Sequence, residues 1–204
     1  MTKPKISFLA FFLLWAELQG WKVPIFHIQV CIFLEEFYLN GRTGLLMLPR
    51  GHSKSSILDV FNAWVIYCWP NTQILHQGTT DADAYKCSKG TRDVLERHPL
   101  CIGNPNVAIR QGEIERWFVE GTPDVRYGTM LAKGILSGVT GHRAHFIQND
   151  DVETPQTTAN PEQREKLPKK LSEQTHIAIP GAKRLWIGTP HTRSEERRVG
   201  KECR

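Results

Sequence analysis

GLLMLPRGHSKSSI, residues Gly44 to Ile57, is the stretch whose reading decides the fold. Leu45 to Leu48 is an apolar run of strand length. Pro49-Arg50-Gly51-His52-Ser53 cannot readily continue it, and from Ser55 to Trp69 the apolar residues return at helical spacing. Strand, tight loop and helix in that order aim backbone N–H groups and the positive end of a helix dipole at one point. Lys54 adds a mobile cation there and Ser55 a hydroxyl, which together make a site for phosphates and Mg²⁺. The match to G-x-x-x-x-G-K-[ST] is incomplete, because Leu48 stands at the first glycine and Ser53 at the second. Two other readings stay open on this stretch alone. One is an ordinary strand-to-helix turn with a solvated lysine. The other is a serine nucleophile elbow, since Gly51-His52-Ser53-Lys54-Ser55 lacks only the last glycine of G-x-S-x-G.

Upstream, Phe8, Phe11, Phe12, Trp15 and Leu18 recur at i, i+3, i+4, i+7 and i+10, which predicts an amphipathic helix. Lys3 and Lys5 ahead of this run suggest a leader. The run from Phe8 to Ala16 is nevertheless too short to span a membrane and has no small-x-small cleavage site, so it reads as a helix buried on its own domain. A second helix is predicted from about Ile25 to Leu39, with Asn40-Gly41 as its stop. It carries His27 and Gln29, either of which could read an adenine edge.

Downstream, the helix from Ser55 ends at Trp69-Pro70-Asn71, and Thr72 to Gly78 reads as a buried strand, implying a right-handed βαβ unit and a parallel sheet. Thr80-Asp81 can cap a helix reaching about His98, with Gly90 a weak point inside it. Pro99 to Thr122 reads as loops around a hairpin strand, Trp117 to Val119. The second informative block is YGTMLAKGILSGVTGHRAHFIQNDDVE, Tyr127 to Glu153. Here a glycine-rich segment leads through Arg143 into a strand, His145 to Asn149, that delivers Asp150 and Asp151 at its carboxyl end. In an open parallel sheet the functional crevice lies outside such ends. One carboxylate there can hold the water shell of Mg²⁺ and its neighbour can orient an attacking water. If strand geometry continues through the turn, Asp151 points away from Asp150 and Glu153 returns to the side of Asp151. Asn160 to Thr175 is a charged helical stretch interrupted by Pro168, and its Lys166, Lys169 and Lys170 read as a solvated face. Arg184 to Ile187 makes another strand, ending in Gly188-Thr189-Pro190, where a hydroxyl can sense a γ-phosphate.

With 204 residues, 40% hydrophobic and 23% charged, the chain has the length and composition of one good-sized globular domain. The net charge of +5 includes a tail, Arg193 to Arg204 (RSEERRVGKECR), that resembles the translation of a DNA-sequencing adapter. Its five basic and three acidic residues contribute +2, leaving +3 for the rest, a mild excess compatible with a polyanionic partner. Cys31, Cys68, Cys87 and Cys101 form no C-x-x-C pair and imply a reduced, cytosolic chain. His142 and His145 have H-x-x-H spacing without a third ligand nearby, so zinc is not expected.

LPRGHSKSS at 48 to 56, GILSGVTGHRAHFIQNDDVETP at 134 to 155, QREKL at 163 to 167 and LWIGTPHT at 185 to 192 stand in consistent order. In these blocks the chain resembles the ATPase domain of tailed-phage terminase large subunits, of the short-tailed-phage or DNA maturase B type. The resemblance implies a P-loop NTPase fold, α/β with a mostly parallel sheet flanked by helices. Residues 1–40 would be its N-terminal helical segment, 41–192 the ATPase core, and 193–204 a tail outside the fold. It further implies ATP and Mg²⁺ as cofactors and hydrolysis coupled to translocation of double-stranded DNA into a procapsid. The partners would be the small terminase subunit, the portal and further copies in a ring, in the host cytoplasm and without a membrane.

By the same resemblance, Lys54 would contact the β- and γ-phosphates within a loop of Gly51, His52, Ser53, Ser55 and Ser56, and Arg50 would be the arginine that opens Walker A. Ser55 and Asp150 would hold the metal. Asp151 or Glu153 would be the catalytic carboxylate, Thr189 would lie in the coupling motif, and Arg143 could reach a neighbouring subunit or DNA. Two departures stand out: Ser53 brings a Cβ where φ > 0 is expected, and Gln148 and Asn149 replace apolar residues of Walker B. The family continues into an RNase H-like nuclease domain that this sequence lacks, so the chain reads as an N-terminal fragment without a nuclease site. Two alternatives accompany this reading. One is a catalytically weak nucleotide-binding or assembly fragment, and the other a serine hydrolase using Ser53 with Asp150 and His176 or His191.

Overall fold

The computed structural model describes residues 3–122, 126–153 and 161–189, without the side chains of residues 163 and 164. The readings placed on Thr154-Pro155, Pro190, His191 and the tail from Arg193 lie outside the described residues, as do the side chains of Gln163 and Arg164.

Two helices come first, α1 (Phe8–Leu18) and α2 (Ile25–Asn40). Ser7 caps α1 by accepting from the Ala10 N–H, and Glu35 of α2 accepts from the Phe8 N–H at 2.9 Å, so one carboxylate both satisfies a helix end and fixes the pair. The loop after β1 (Thr43–Met47) feeds α3 (Lys54–Cys68), which is apolar on almost every side. Its residues Ile57, Leu58, Phe61, Trp64, Val65 and Ile66 are all buried. A helix of that kind must be covered all round. Here Phe8 of α1 meets Phe61 and Trp64 edge-on or tilted, with centroids 4.9 and 5.4 Å away, and Tyr38 of α2 meets Phe61, Trp64 and the sheet residue Phe146. The N-terminal helices therefore share the main core with the sheet.

The remaining elements are β2 (Ile74–Gly78), α4 (Asp81–Arg97), β3 (Ile109–Gly112), β4 (Arg116–Val119), β5 (Met130–Gly134), β6 (Ala144–Asp150), α5 (Pro161–Ile177) and β7 (Ala178–Gly188). The seven strands form one sheet in the order β1-β7-β6-β2-β5-β4-β3. The first five in that order run parallel, and β4 and β3 close the far side antiparallel. Strands β1 and β2 are parallel, as the strand-helix-strand pattern predicted, but β7 and β6 lie between them. Five carboxyl ends, those of β1, β7, β6, β2 and β5, thus lie on one side. Strand β1 is the outer member of that group, with Leu45 and Met47 64% and 48% exposed.

Several expectations change. Met130–Gly134 is a central buried strand, where the sequence shows only a glycine-rich segment; five residues between glycines carry too little pattern, and the strand is defined by its register against β2. Strand β7 starts at Ala178, six residues before the predicted start, and α5 continues through Pro168 without a break. Gly90 inside α4 has a packing reason: a Cβ there would stand 2.1 Å from Asp59 Oδ2 of α3. His145 Nδ1 accepts from the Gln73 N–H, and among the described residues no group of three or more His, Cys, Asp or Glu could hold a metal ion. Cys31, Cys68, Cys87 and Cys101 are buried free thiols. No described helix is long and apolar enough to cross a membrane.

Candidate functional site

Between Leu48 and Lys54 the chain must reverse from a strand into a helix, and two residues take left-handed backbone to do so: Gly51 at φ 80° and Ser53 at φ 56°. Gly51 tolerates this freely, whereas Ser53 carries its Cβ into a region that disfavours it by roughly 1–2 kcal/mol. Ser53 makes no side-chain cap bond to α3, so its hydroxyl does not offset that strain. The loop aims the first turn of α3, with Lys54, Ser55 and Ser56, at the carboxyl ends of β6 and β7.

Lys54 is the centre of what it meets there. Its side chain is 11% exposed; Nζ donates to Asp151 Oδ2 and to Thr189 Oγ1 at 3.2 Å, and lies 3.0 Å from Asp150 Oδ1. The buried Asp150 Oδ1 meets Lys54 as an ion pair and accepts no further hydrogen bond. Asp151 is held on every side. Its N–H donates to Ile187 O, its carbonyl accepts from Thr79 Oγ1 at 2.6 Å, and its Oδ1 accepts from the Thr189 N–H at 2.8 Å. Its Oδ2 also accepts from Thr189 Oγ1 at 3.1 Å. Three strand ends, β2, β6 and β7, are thereby tied around one lysine.

Asp151 adopts φ 46°, so strand geometry does not continue through the turn. The left-handed residue swings the Asp151 carboxylate to the same lysine as Asp150. Glu153 is exposed and lines a neighbouring depression together with Asp151, Thr189, Leu45, Met47 and Trp186. The expected alternation fails because the hydrogen bonds from Thr79 and Thr189 fix the corner.

A cleft of about 370 Å³ opens beside Lys54. Of the residues singled out in the sequence, Arg50, Ser55, Asp150, Asp151 and Thr189 line it. Gly51, His52 and Ser53 form the loop beside it; His52 Nδ1 is 3.1 Å from Arg50 O, and its ring packs on Phe26 of α2 at 5.1 Å. Ser56 lies on the first turn of α3 but is not among the lining residues. Gln29 is exposed, and His27 is buried; burial holds its pKa below the ordinary value, against a hydrogen bond with the His52 backbone. Arg143 lies at the amino end of β6, roughly 20 Å of strand from Asp150, in a depression shared with His142 and His176. His176 is therefore at the wrong end of the sheet to serve Ser53, and the hydrolase constellation is not assembled among the described residues.

Sequence reasoning missed Thr79, Asp83 and Lys86, which line the cleft from the β2–α4 corner, and above all Asp59. Asp59 is four residues after Ser55 and so on the same helix face, a spacing that could have revealed it. Burial pushes its carboxyl up to about 8; a hydrogen bond with Cys87 opposes this, and the charges of Asp150 and Asp93 add to it. Beneath the cleft, the polar residues of β6 prove to be fully buried and paired. Gln148 donates to Asn62 Oδ1 of α3 at 2.7 Å and accepts from His76 Nδ1 at 3.0 Å, while Asn149 on the other face exchanges amide bonds with Gln174 of α5.

The donor set fits a hydrated Mg²⁺ with a polyphosphate. The Ser55 hydroxyl and the Asp150 carboxylate offer hard oxygens on the same cleft, and a lysine balanced by carboxylates stands at the head of a helix. A parallel sheet whose edge strand leads through a tight loop into a helix, with two carboxylates at the end of the next strand but one, is the arrangement of P-loop-type folds. The solved large terminase ATPase domain of Thermus phage P74-26, in an arginine-to-alanine mutant, is similar with a TM-score of 0.50 and 18% identity, covering 88% of this chain and 70% of that one. The same domain without that mutation gives 0.47 and 18%, covering 86% and 68%. Among curated proteins, the terminase large subunit of Enterobacteria phage T3 is 28% identical over 194 residues, 92% of this chain. The chain spans about a third of that protein's length, 32%. The resemblance read from the motifs is thus borne out by a curated relative, and the fold by a solved one. No family model matches the chain.

Proposed function

We propose that this chain is the ATPase part of a viral DNA-packaging motor, a terminase large subunit that couples ATP hydrolysis to movement of double-stranded DNA. The observation that carries the reading is the position of Lys54, bonded at once to Asp151 and Thr189 and paired with Asp150, at the head of α3 and within a cleft lined by Ser55.

Bound Mg²⁺ would supply charge neutralisation between the β- and γ-phosphates. Ser55 and Asp150 would hold it. Lys54 would exchange its carboxylate partners for phosphate oxygens, since a polyphosphate offers the same charge with more acceptors. That exchange frees Asp151 Oδ2 to orient a water and take up its proton, and it releases Thr189 Oγ1. Asp151 is the favoured water-positioning group; Glu153 would need the corner to rearrange. Arg50 is within reach of the cleft to stabilise developing charge. DNA, a small subunit, a portal and sister copies in a ring would be the partners, in the host cytoplasm, with contacts to phosphates that weaken with salt.

A second reading, a fragment that binds nucleotide but turns it over slowly, is favoured by the strained Ser53 and by the full occupation of Asp151. Lys54→Ala tests the first. Loss of MgATP turnover with an unchanged circular dichroism spectrum is the expected result, and full turnover would remove Lys54 from the phosphate site. Wild-type protein that binds MgATP without hydrolysing it would establish the second reading.

A further inference from the structure

Asp59 is a carboxylate with no role in the phosphate loop as described, and three observations set it apart. It lines the same cleft as Ser55 and Asp150, one helical turn beyond Ser55 on the same face of α3. Its Oδ1 is buried and accepts no hydrogen bond, and across the same cleft Asp150 Oδ1 meets Lys54 Nζ as an ion pair at 3.0 Å. Its other oxygen occupies a space that exists only because residue 90 is glycine: a Cβ there would lie 2.1 Å from Asp59 Oδ2 and 2.4 Å from Cγ. Glycine inside α4 costs about 1 kcal/mol of helix propensity, so the fold gives up helix stability to seat this carboxylate. Two carboxylates beside a hydroxyl form an oxygen-only set suited to a hard divalent cation and its waters.

We propose that Asp59 is a third cation-positioning residue of this site, holding through water the divalent ion that Ser55 and Asp150 bind, with Gly90 making room for it. The proposal rests on the nucleotide reading above. Asp59 acts through the metal's water shell and not on the reacting phosphate. Removing such an outer partner lowers metal affinity roughly 10–100-fold while leaving the direct ligands in place.

The test measures binding and not turnover. A fluorescent ADP analogue is titrated onto the protein at increasing Mg²⁺, and the Mg²⁺ concentration giving half the enhancement is read for wild type, Asp59→Asn, Gly90→Ala and Ser55→Ala. Mn²⁺ occupancy in the presence of ADP is followed in parallel by electron paramagnetic resonance. Asp59→Asn should shift the midpoint at least tenfold upward while binding the analogue in EDTA as wild type does. Gly90→Ala, which keeps every carboxylate but displaces one, should shift it in the same direction. An unchanged midpoint in Asp59→Asn, with Ser55→Ala still shifted, overturns the proposal and leaves the nucleotide reading standing. ADP binding that is indifferent to Mg²⁺ in the wild type overturns the nucleotide reading itself, and the proposal with it.

Discussion

Gly51 and Ser53 occupy the same left-handed backbone region in one loop, one without a Cβ and one with it, so substitutions at the two should act with opposite sign. Ser53→Gly removes roughly 1–2 kcal/mol of left-handed strain and adds about 0.5–1 kcal/mol of unfolded-chain freedom. Its hydroxyl caps nothing in α3, and the residue is exposed, so little else is lost. The net expectation is a gain of about 0.5–1 kcal/mol. Gly51→Ala introduces the same strain; an added Cβ would meet nothing within 4 Å, so no clash is added and the expected loss is of similar size, about 0.5–1 kcal/mol. Ser53→Ala keeps the Cβ and should be neutral. For a chain of this length these values correspond to melting shifts of about 1–4 °C in either direction. Thermal and urea denaturation followed by circular dichroism would measure them. A Ser53→Gly protein less stable than wild type, or a Gly51→Ala protein indistinguishable from it, would refute the strain argument. Turnover of MgATP should also rise in Ser53→Gly, because the loop gains backbone freedom where phosphate would be bound.

Asp151→Asn should lower single-turnover hydrolysis by orders of magnitude while leaving MgATP binding nearly intact, and Glu153→Gln should leave both close to wild type; the reverse pattern would show that the corner rearranges to bring Glu153 in. Gln148→Leu strands Asn62 Oδ1 and the His76 ring in the interior, and about 2–5 kcal/mol should be lost in urea titrations, whereas a change below about 1 kcal/mol would mean that the amide chain is dispensable. His98 stacks on Phe11 at 3.7 Å, donates from Nε2 to Phe11 O and accepts the Leu100 N–H at Nδ1, and burial holds its pKa below the ordinary value. The folded state therefore binds fewer protons than the unfolded one below about pH 6.5, so this ring's contribution is fully present above that pH and is lost as the pH falls. The stability difference between wild type and His98→Gln should narrow from pH 7.5 to pH 5; a constant difference would show that the ring is not held neutral.

The helices were legible because their signals are local. The 3–4 residue recurrence of Phe8 to Leu18 and the Thr80 cap of α4 identify elements from neighbours in sequence alone. Loop, lysine and paired aspartates were legible for the same reason. Strand β5 was not, because Met130–Gly134 has five residues whose extended form is decided by the partners β2 and β4, which no local pattern encodes. The polar Gln148 and Asn149 look like a defect in a central strand until Asn62 and Gln174, 86 residues upstream and 25 downstream, are found facing them. Asp151 misled the reading for a backbone reason: alternation presumes extended geometry, and one left-handed residue suffices to bring two adjacent carboxylates to the same cation.

Strand β1 leads into the loop before α3 yet has a sheet neighbour on one side only, among the described residues. Thr43 to Met47 lie opposite Arg184 to Gly188 of β7, and β7 leads directly to Thr189. The two strands lie as a pair of rails, one leading through the loop to Lys54 and the other to the hydroxyl that Lys54 touches. Sliding one rail by a single residue, about 3.3 Å, exceeds the reach of that hydrogen bond. The β1–β7 register is thus the one pairing in the sheet whose two strands both lead to partners of the Lys54–Thr189 bond.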